Sequence, residues 1–147
     1  MPDDGADGVH RSGGASVDWL FIVKPADTAP GGGSSAKDRM LEEAETAPRR
    51  EWCLSRWRRM APGDRLWVYF AAPVREIAAV AEIEDEPYEV TGSPRQPWRV
   101  TATLDRDATR RLHLDPVPLH ALSNRHPQGV TRVKDSDLGL LLDHAGL

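Results

Sequence analysis

The sequence predicts an α+β fold: a small mixed β-barrel of about five or six strands, with helices against its openings. Three observations lead there. The patterned segments run in the order strand, helix, helix, several antiparallel strands, helix. Leu66 to Ala71 is apolar on both faces, with Leu66, Val68 and Phe70 pointing one way and Trp67, Tyr69 and Ala71 the other, as in a strand buried on both sides. Trp98 to Asp105 alternates, with Trp98, Val100, Ala102 and Leu104 inward and Arg99, Thr101, Thr103 and Asp105 outward.

Residues 1–17 are acidic and rich in glycine with little to bury, so they read as a disordered tail before a domain of residues 18–147. Trp19 to Val23 is an apolar run ending at Lys24 and Pro25, a first buried strand. The GGGSS at 31–35 is a flexible loop. Ser35 and Asp38 resemble a capping signal, and Met40, Leu41 and Ala44 form a weak stripe, which predicts a helix from Ala36 to about Thr46, stopped by Pro48.

A second helix is expected from Trp52 to Met60. At about 100° per residue, Cys53, Trp57 and Met60 share its buried face; Trp52 falls to one side with Arg56 a turn later. Pro62, Gly63 and Asp64 then turn the chain into the central strand. Glu76 to Glu84 follows as a strand of small residues, Tyr88 and Val90 form an irregular edge, and Gly92, Pro94 and Pro97 break regular structure. Pro116 and Pro118 introduce a turn or short helix, Val130 to Val133 a closing strand, and Ser136 and Asp137 a final helix with Leu138, Leu141 and Leu142 docked and Gly146 as its stop.

Composition sets limits. The 147 residues suit one domain, and a single cysteine, Cys53, excludes an internal disulfide framework. No stretch reaches the roughly 20 apolar residues of a membrane span, and MPDDGADGVH lacks the features of a secretory signal, so a cytoplasmic location is expected. Net charge is −4, which argues against a protein that coats nucleic acid, yet Arg49 to Arg59 holds five arginines and one glutamate. Further arginines fall at 95, 99, 106, 110 and 111, while Glu82 to Glu89 holds five acids and no base. Such asymmetry suits one positive face for a phosphate-bearing partner. The five histidines show no HxxxH and have no CxxC beside them, so neither metal nor cofactor is expected. GGGSS lacks the lysine of a phosphate-binding loop, and no GxSxG occurs. Trp19, Trp57 and Trp67 are read as core. Trp52 is either a stacking platform beside Arg56 or the edge of the core, and Trp98 stands between cage and core.

WLFIVKP, RRMAPGDRLWVYFA, AAVAEIEDEPYEV, PWRVTATLD and QGVTRVKDSDLGLLL, in that order and spacing, resemble the EVE domain, a branch of the PUA-like superfamily that includes the YTH and ASCH domains. The likeness covers about residues 18–143. It implies a PUA-like barrel whose pocket reads a modified base in DNA or RNA, and by position it places that pocket at Lys24, Pro25, Trp52, Phe70 and Ala71, with Trp98 bordering the opening. The chain departs from the family's usual glutamate before the first proline and from its His-Ser pair after the central strand; Lys24-Pro25 and Phe70-Ala71 stand there.

The expected function is therefore non-catalytic binding of DNA or RNA with a methylated or hydroxymethylated cytosine flipped into an aromatic pocket. Flipping costs a few kcal/mol. Each base–aromatic stack returns roughly 1–3 kcal/mol, and a buried methyl about 0.8 kcal/mol. Arg49, Arg50, Arg56 and Arg95 at the rim, and Asn124 and Arg125 in a later loop, are the candidate phosphate contacts. Two other readings stand beside it: an ASCH-like hydrolase of a modified nucleoside, with Lys24 activating Thr28 and Glu82 or Glu84 as acid/base, or a protein-interaction module, with a partner in genome defence or RNA processing.

Overall fold

A computed structural model describes residues 16–24, 36–92, 95 and 97–147. Within them the chain forms β1 (Asp18–Val23), α1 (Ala36–Thr46), β2 (Arg49–Cys53), β3 (Arg65–Phe70), β4 (Glu76–Ile83), β5 (Tyr88–Glu89), β6 (Trp98–Leu104), α2 (Arg106–Leu114), β7 (Val117–Pro118), β8 (Val130–Arg132) and α3 (Asp135–Ala145). The main sheet runs β2-β6-β4-β3-β1-β8, with β5 added to β6 and β7 to β4. Among the described strands only β1 and β3 pair in parallel, Trp19 opposite Leu66 and Val23 opposite Phe70. Pro25, Thr28, the GGGSS loop and residues 1–15 lie outside the described residues.

The sheet curls strongly. Four strand spacings separate β2 from β1, about 19 Å in a flat sheet, yet the rings of Trp52 and Phe21 meet edge to face at 5.2 Å between centroids. The result is a half-barrel with two cores. Leu66, Val68 and Phe70 face the inner one, together with Trp52, Val100, Ala102 and Leu104, and α1 plugs it with Ala36, Met40 and Ala44, an i, i+4, i+8 stripe. Trp67 and Tyr69 face the outer one, where Ala108 and Leu112 of α2 and Leu141 and Ala145 of α3 cover the sheet. The two-faced central strand expected from LWVYFA is thus the wall between both cores.

No hairpin sets the parallel pairing of β1 with β3, so side chains pin it. The buried Asp64 of the Pro-Gly-Asp turn accepts Trp19 Nε1 at 3.1 Å and the backbone N–H groups of Val17 and Ala61, each at 3.0 Å. In the opposite sense, Trp67 Nε1 donates to Asp18 Oδ1 at 2.8 Å. Two tryptophan–aspartate ties therefore cross-link the same two strands in opposite directions, and charge-assisted bonds of this kind are about twice as strong as neutral ones. Val17, at the end of the expected tail, is buried by this arrangement.

Two local readings change. The helix expected from Trp52 to Met60 is instead β2 followed by an irregular segment. RREWC alternates with Trp52 turned inward, and pairing Arg49 to Cys53 with Thr103 to Arg99 satisfies the backbone of both strands, which outweighs a helical stripe of three residues. The second change is α2, which the sequence does not announce: only Ala108, Leu112 and Leu114 are apolar among its charges, and Leu114 is exposed. Asp105, read as an outward strand residue, caps it by accepting from Ala108 N at 2.9 Å. Thr109, fully buried, exchanges hydrogen bonds with Val80 N and O, so the helix completes the β4 ladder where β6 leaves it. α3 ends as expected, with Gly146 at φ 72°, the left-handed region a glycine enters freely. Among the described residues no helix is long and apolar enough to cross a membrane.

Candidate functional site

On the inner side of the half-barrel, α1, β1 and β2 leave a cleft of about 350 Å³. Phe21 and Val23 of β1, Arg39, Met40 and Glu43 of α1, and Arg50, Trp52 and Cys53 of β2 line it. Period-two alternation explains the aromatic floor: Phe21 and Val23 share the inward face of β1, as Trp52 does on β2. Trp52 is only 1 % exposed and its Nε1 donates to Ala102 O at 3.3 Å. Its indole face is capped by the Arg50 guanidinium, 4.6 Å from the ring centroid, and Glu43 on α1 holds that guanidinium at 2.7 Å. A planar cation thus lies on a planar aromatic ring at the mouth of the cleft, tethered to a partly exposed carboxylate.

Of the residues expected to form a base pocket, Trp52 lines this cleft. Lys24 follows Val23 directly and is exposed at the end of β1, where Val23 O accepts from Ala71 N. Phe70 is buried in the inner core and Ala71 packs against the outer one, so these two sit at the right end of the ladder on opposite faces. Trp98 is half-buried against the inner core, two residues from Val100, the partner of Trp52. Among the described residues it does not reach the lining.

The arginines divide. Arg50 belongs to the cleft. Arg49 is exposed and bonded to Glu84 at 2.8 Å, which raises its pKa, and Glu84 also accepts from the Thr103 hydroxyl. The segment after β2 crosses to the far edge strand, where Arg58 Nε donates to Val130 O at 2.8 Å; burial, and then the charge of Arg56, lower the pKa of Arg58. This leaves Trp57, expected in the core, 48 % exposed between the exposed Arg56 and Arg59. The interleaving of WRR with no apolar neighbour on either side is the signal that marks it as a surface aromatic. Arg95 is exposed in the loop before β6. Asn124 and Arg125 lie on the other layer, over the outer core: Asn124 lines a small hollow with Leu20 and Leu141, and Arg125 a different one with Arg75, Leu119 and His120.

Cys53 is half-buried and faces Arg99 Nη1 at 3.3 Å, on a strand rather than a helix. The acid/base pair of the hydrolase reading is not brought together. Lys24 lies at the Phe70–Glu76 end of the sheet, whereas Glu82 pairs with Arg65 at the other end, about 17 Å along the ladder. Glu76, at the near end, is bonded to Lys37 at 2.9 Å.

Comparison with solved structures identifies the architecture. The NMR structure of Rpa0253 from Rhodopseudomonas palustris superposes with a TM-score of 0.56 at 17% identity, over 88% of this chain and 93% of that one. Protein Atu2648 from Agrobacterium tumefaciens gives 0.58 at 15%, over 90% and 94%. The ASCH protein from Zymomonas mobilis gives 0.51 at 13%, over 86% and 94%. The fold is PUA-like, of the ASCH type. At these identities the likeness speaks for the fold alone. No family model matches the chain, and no curated protein does.

Proposed function

We propose that this PUA-like domain is a nucleic-acid-binding module that takes a single base into the α1–β1–β2 cleft, without catalysing a reaction on it. The observation that carries this reading is the Arg50 guanidinium stacked on Trp52 and tethered by Glu43. A flat cation on an indole occupies the place a flat base would take. On entry the base replaces Arg50 on Trp52 or stacks upon the guanidinium itself, with Phe21 as the adjoining wall. Arg39 and Glu43 then offer a donor and an acceptor to the base edge. Outside the cleft, Trp57 between Arg56 and Arg59 supplies an accessible stacking face with two cations for the flanking strand. The finer expectation, a methylated or hydroxymethylated cytosine read in the manner of an EVE domain, rests on the apolar lining of Val23 and Met40, which would favour an added methyl by about 0.8 kcal/mol.

The test is fluorescence-anisotropy titration of short DNA and RNA strands, each unmodified or carrying one modified cytosine or methylated adenine, at about 50 and 200 mM salt. Arg50→Ala is the informative variant, since Arg50 is partly exposed and its loss leaves the core intact. A strand preferred several-fold, with the preference lost in Arg50→Ala, supports the reading. Equal and weak binding of every strand, or a preference that Arg50→Ala leaves untouched, removes the cleft from it.

A further inference from the structure

On the outer layer, Arg75, Leu119, His120 and Arg125 line a separate hollow of about 250 Å³. Its three polar side chains are two guanidinium groups and an imidazole, and among the described residues no carboxylate lines it. The two guanidinium groups repel one another unless something negative sits between them. Glu76, the carboxylate next to Arg75 in sequence, is turned to Lys37 instead. Neither the Arg75 nor the His120 side chain has a hydrogen-bonded or ion-paired partner among the described residues, and Arg125 gives only its Nε, to Leu122 O at 3.1 Å.

The arrangement is held from several sides. Arg75 stands at φ 55°, an unfavourable value for a residue with a side chain, and its carbonyl accepts from Leu119 N at 2.9 Å. Glu76 opposite Pro118 and Ile77 opposite Val117 lay β7 along the start of β4, so residues 119 and 120 emerge beside Arg75. The buried Asp137 of α3 then accepts both Ser123 N and Ser123 Oγ at 2.9 Å, which fixes the turn that brings Arg125 back. Beneath this end of the sheet lies the Tyr69 hydroxyl, buried, with no hydrogen-bond partner among the described residues; burial raises its pKa and the nearby charge of Arg75 partly offsets that.

We propose that the Arg75–His120–Arg125 hollow is a phosphate-binding site. A carboxylate is satisfied by one guanidinium fork, whereas a phosphate, monoester or diester, arranges its oxygens tetrahedrally and so accepts from donors arriving from different directions, as these do. Leu119 supplies an apolar wall for part of the group the phosphate is attached to. The site lies on the layer opposite the base cleft and does not depend on that cleft's occupant. The phosphate has two sources, a free phosphorylated small molecule or the phosphodiester backbone of a strand.

Calorimetric titration with adenosine 5′-monophosphate, and anisotropy with a short oligonucleotide lacking terminal phosphates, separate those sources. The variants are Arg75→Gly, which keeps the fold because glycine accepts the positive φ, and Arg125→Ala. Arg106→Ala, on the exposed face of α2, is the control. Either Arg75→Gly or Arg125→Ala is expected to weaken binding about tenfold, the loss of one charged fork, with Arg106→Ala unchanged. Loss in the mononucleotide arm identifies a free phosphorylated ligand, and loss in the oligonucleotide arm alone identifies a backbone phosphate. If, with all variants folded by circular dichroism, neither probe binds, or neither loses affinity beyond that seen in Arg106→Ala, the proposal is overturned.

Discussion

Two pairs of tryptophans in this chain live under different rules. Trp19 and Trp67 lie on adjacent strands, each indole N–H bonded to a buried aspartate reached across the β1–β3 pair. Trp52 and Trp57 lie on and just after an edge strand; one bonds weakly to a carbonyl and carries an arginine on its face, and the other stands in solvent between arginines. What distinguishes the pairs is what surrounds each ring. An indole whose N–H meets a buried carboxylate is part of the frame, and the one whose face meets a guanidinium lies where we propose that a flat base enters.

Removing a carboxylate from the frame gives the largest effect. Asp64→Ala leaves Trp19 Nε1 and the N–H groups of Val17 and Ala61 without an acceptor, and a loss of about 4 kcal/mol is expected in urea denaturation. A loss under about 1 kcal/mol would mean water takes the place of Asp64. Trp67→Phe keeps most of the ring but strips the 2.8 Å bond to Asp18, and about 2 kcal/mol should go with it. Against these, Trp57→Ala should change stability by less than about 0.5 kcal/mol, while oligonucleotide affinity falls about tenfold. A large fall in Tm with unchanged affinity would move Trp57 into the frame and undo the contrast.

The smallest effect is alkaline. The chain has two tyrosines, Tyr69 and Tyr88, and both phenols are pushed above the ordinary value of about 10. Burial is the first cause in each case; a hydrogen bond to Glu51 adds to it at Tyr88. A folded-state pKa above the unfolded one means this stabilisation is fully present below about pH 10 and is lost as pH rises through the folded values. Absorbance near 295 nm should therefore show a smaller tyrosinate fraction at pH 10 in the folded protein than in a denatured sample, which is about half ionised there. Half-ionisation of the folded protein at pH 10 would contradict the burial argument.

The frame was legible in the sequence because period-two patterning and turn chemistry are local. LWVYFA, the inward residues after Trp98 and the Gly146 stop appear where they were expected, and the α1 stripe keeps Met40 and Ala44 but takes Ala36 in place of Leu41. The site was legible only in part. Trp52 was placed at a pocket by its position in the family resemblance and read as a helix residue, yet it lines the cleft from a strand, and Trp57 was assigned to the core by the same false helical periodicity. A stripe of three residues, Cys53, Trp57 and Met60, is too short to establish a helical period, and the deciding factor, the unpaired edge of β6, is about fifty residues away in sequence. Arg75 and His120 carried no signal, since β7 brings them together through two residue pairs.

The half-barrel is shut across its open side by Trp52 resting on Phe21 and by Arg58 reaching Val130, with no ladder between β2 and β8. It is a clasp rather than a weld: the contacts across the open side are between side chains or from a side chain to a carbonyl, so widening the cleft would slide rings and release bonds such as Arg58 to Val130 and Arg50 to Glu43 while every described strand pairing stayed whole.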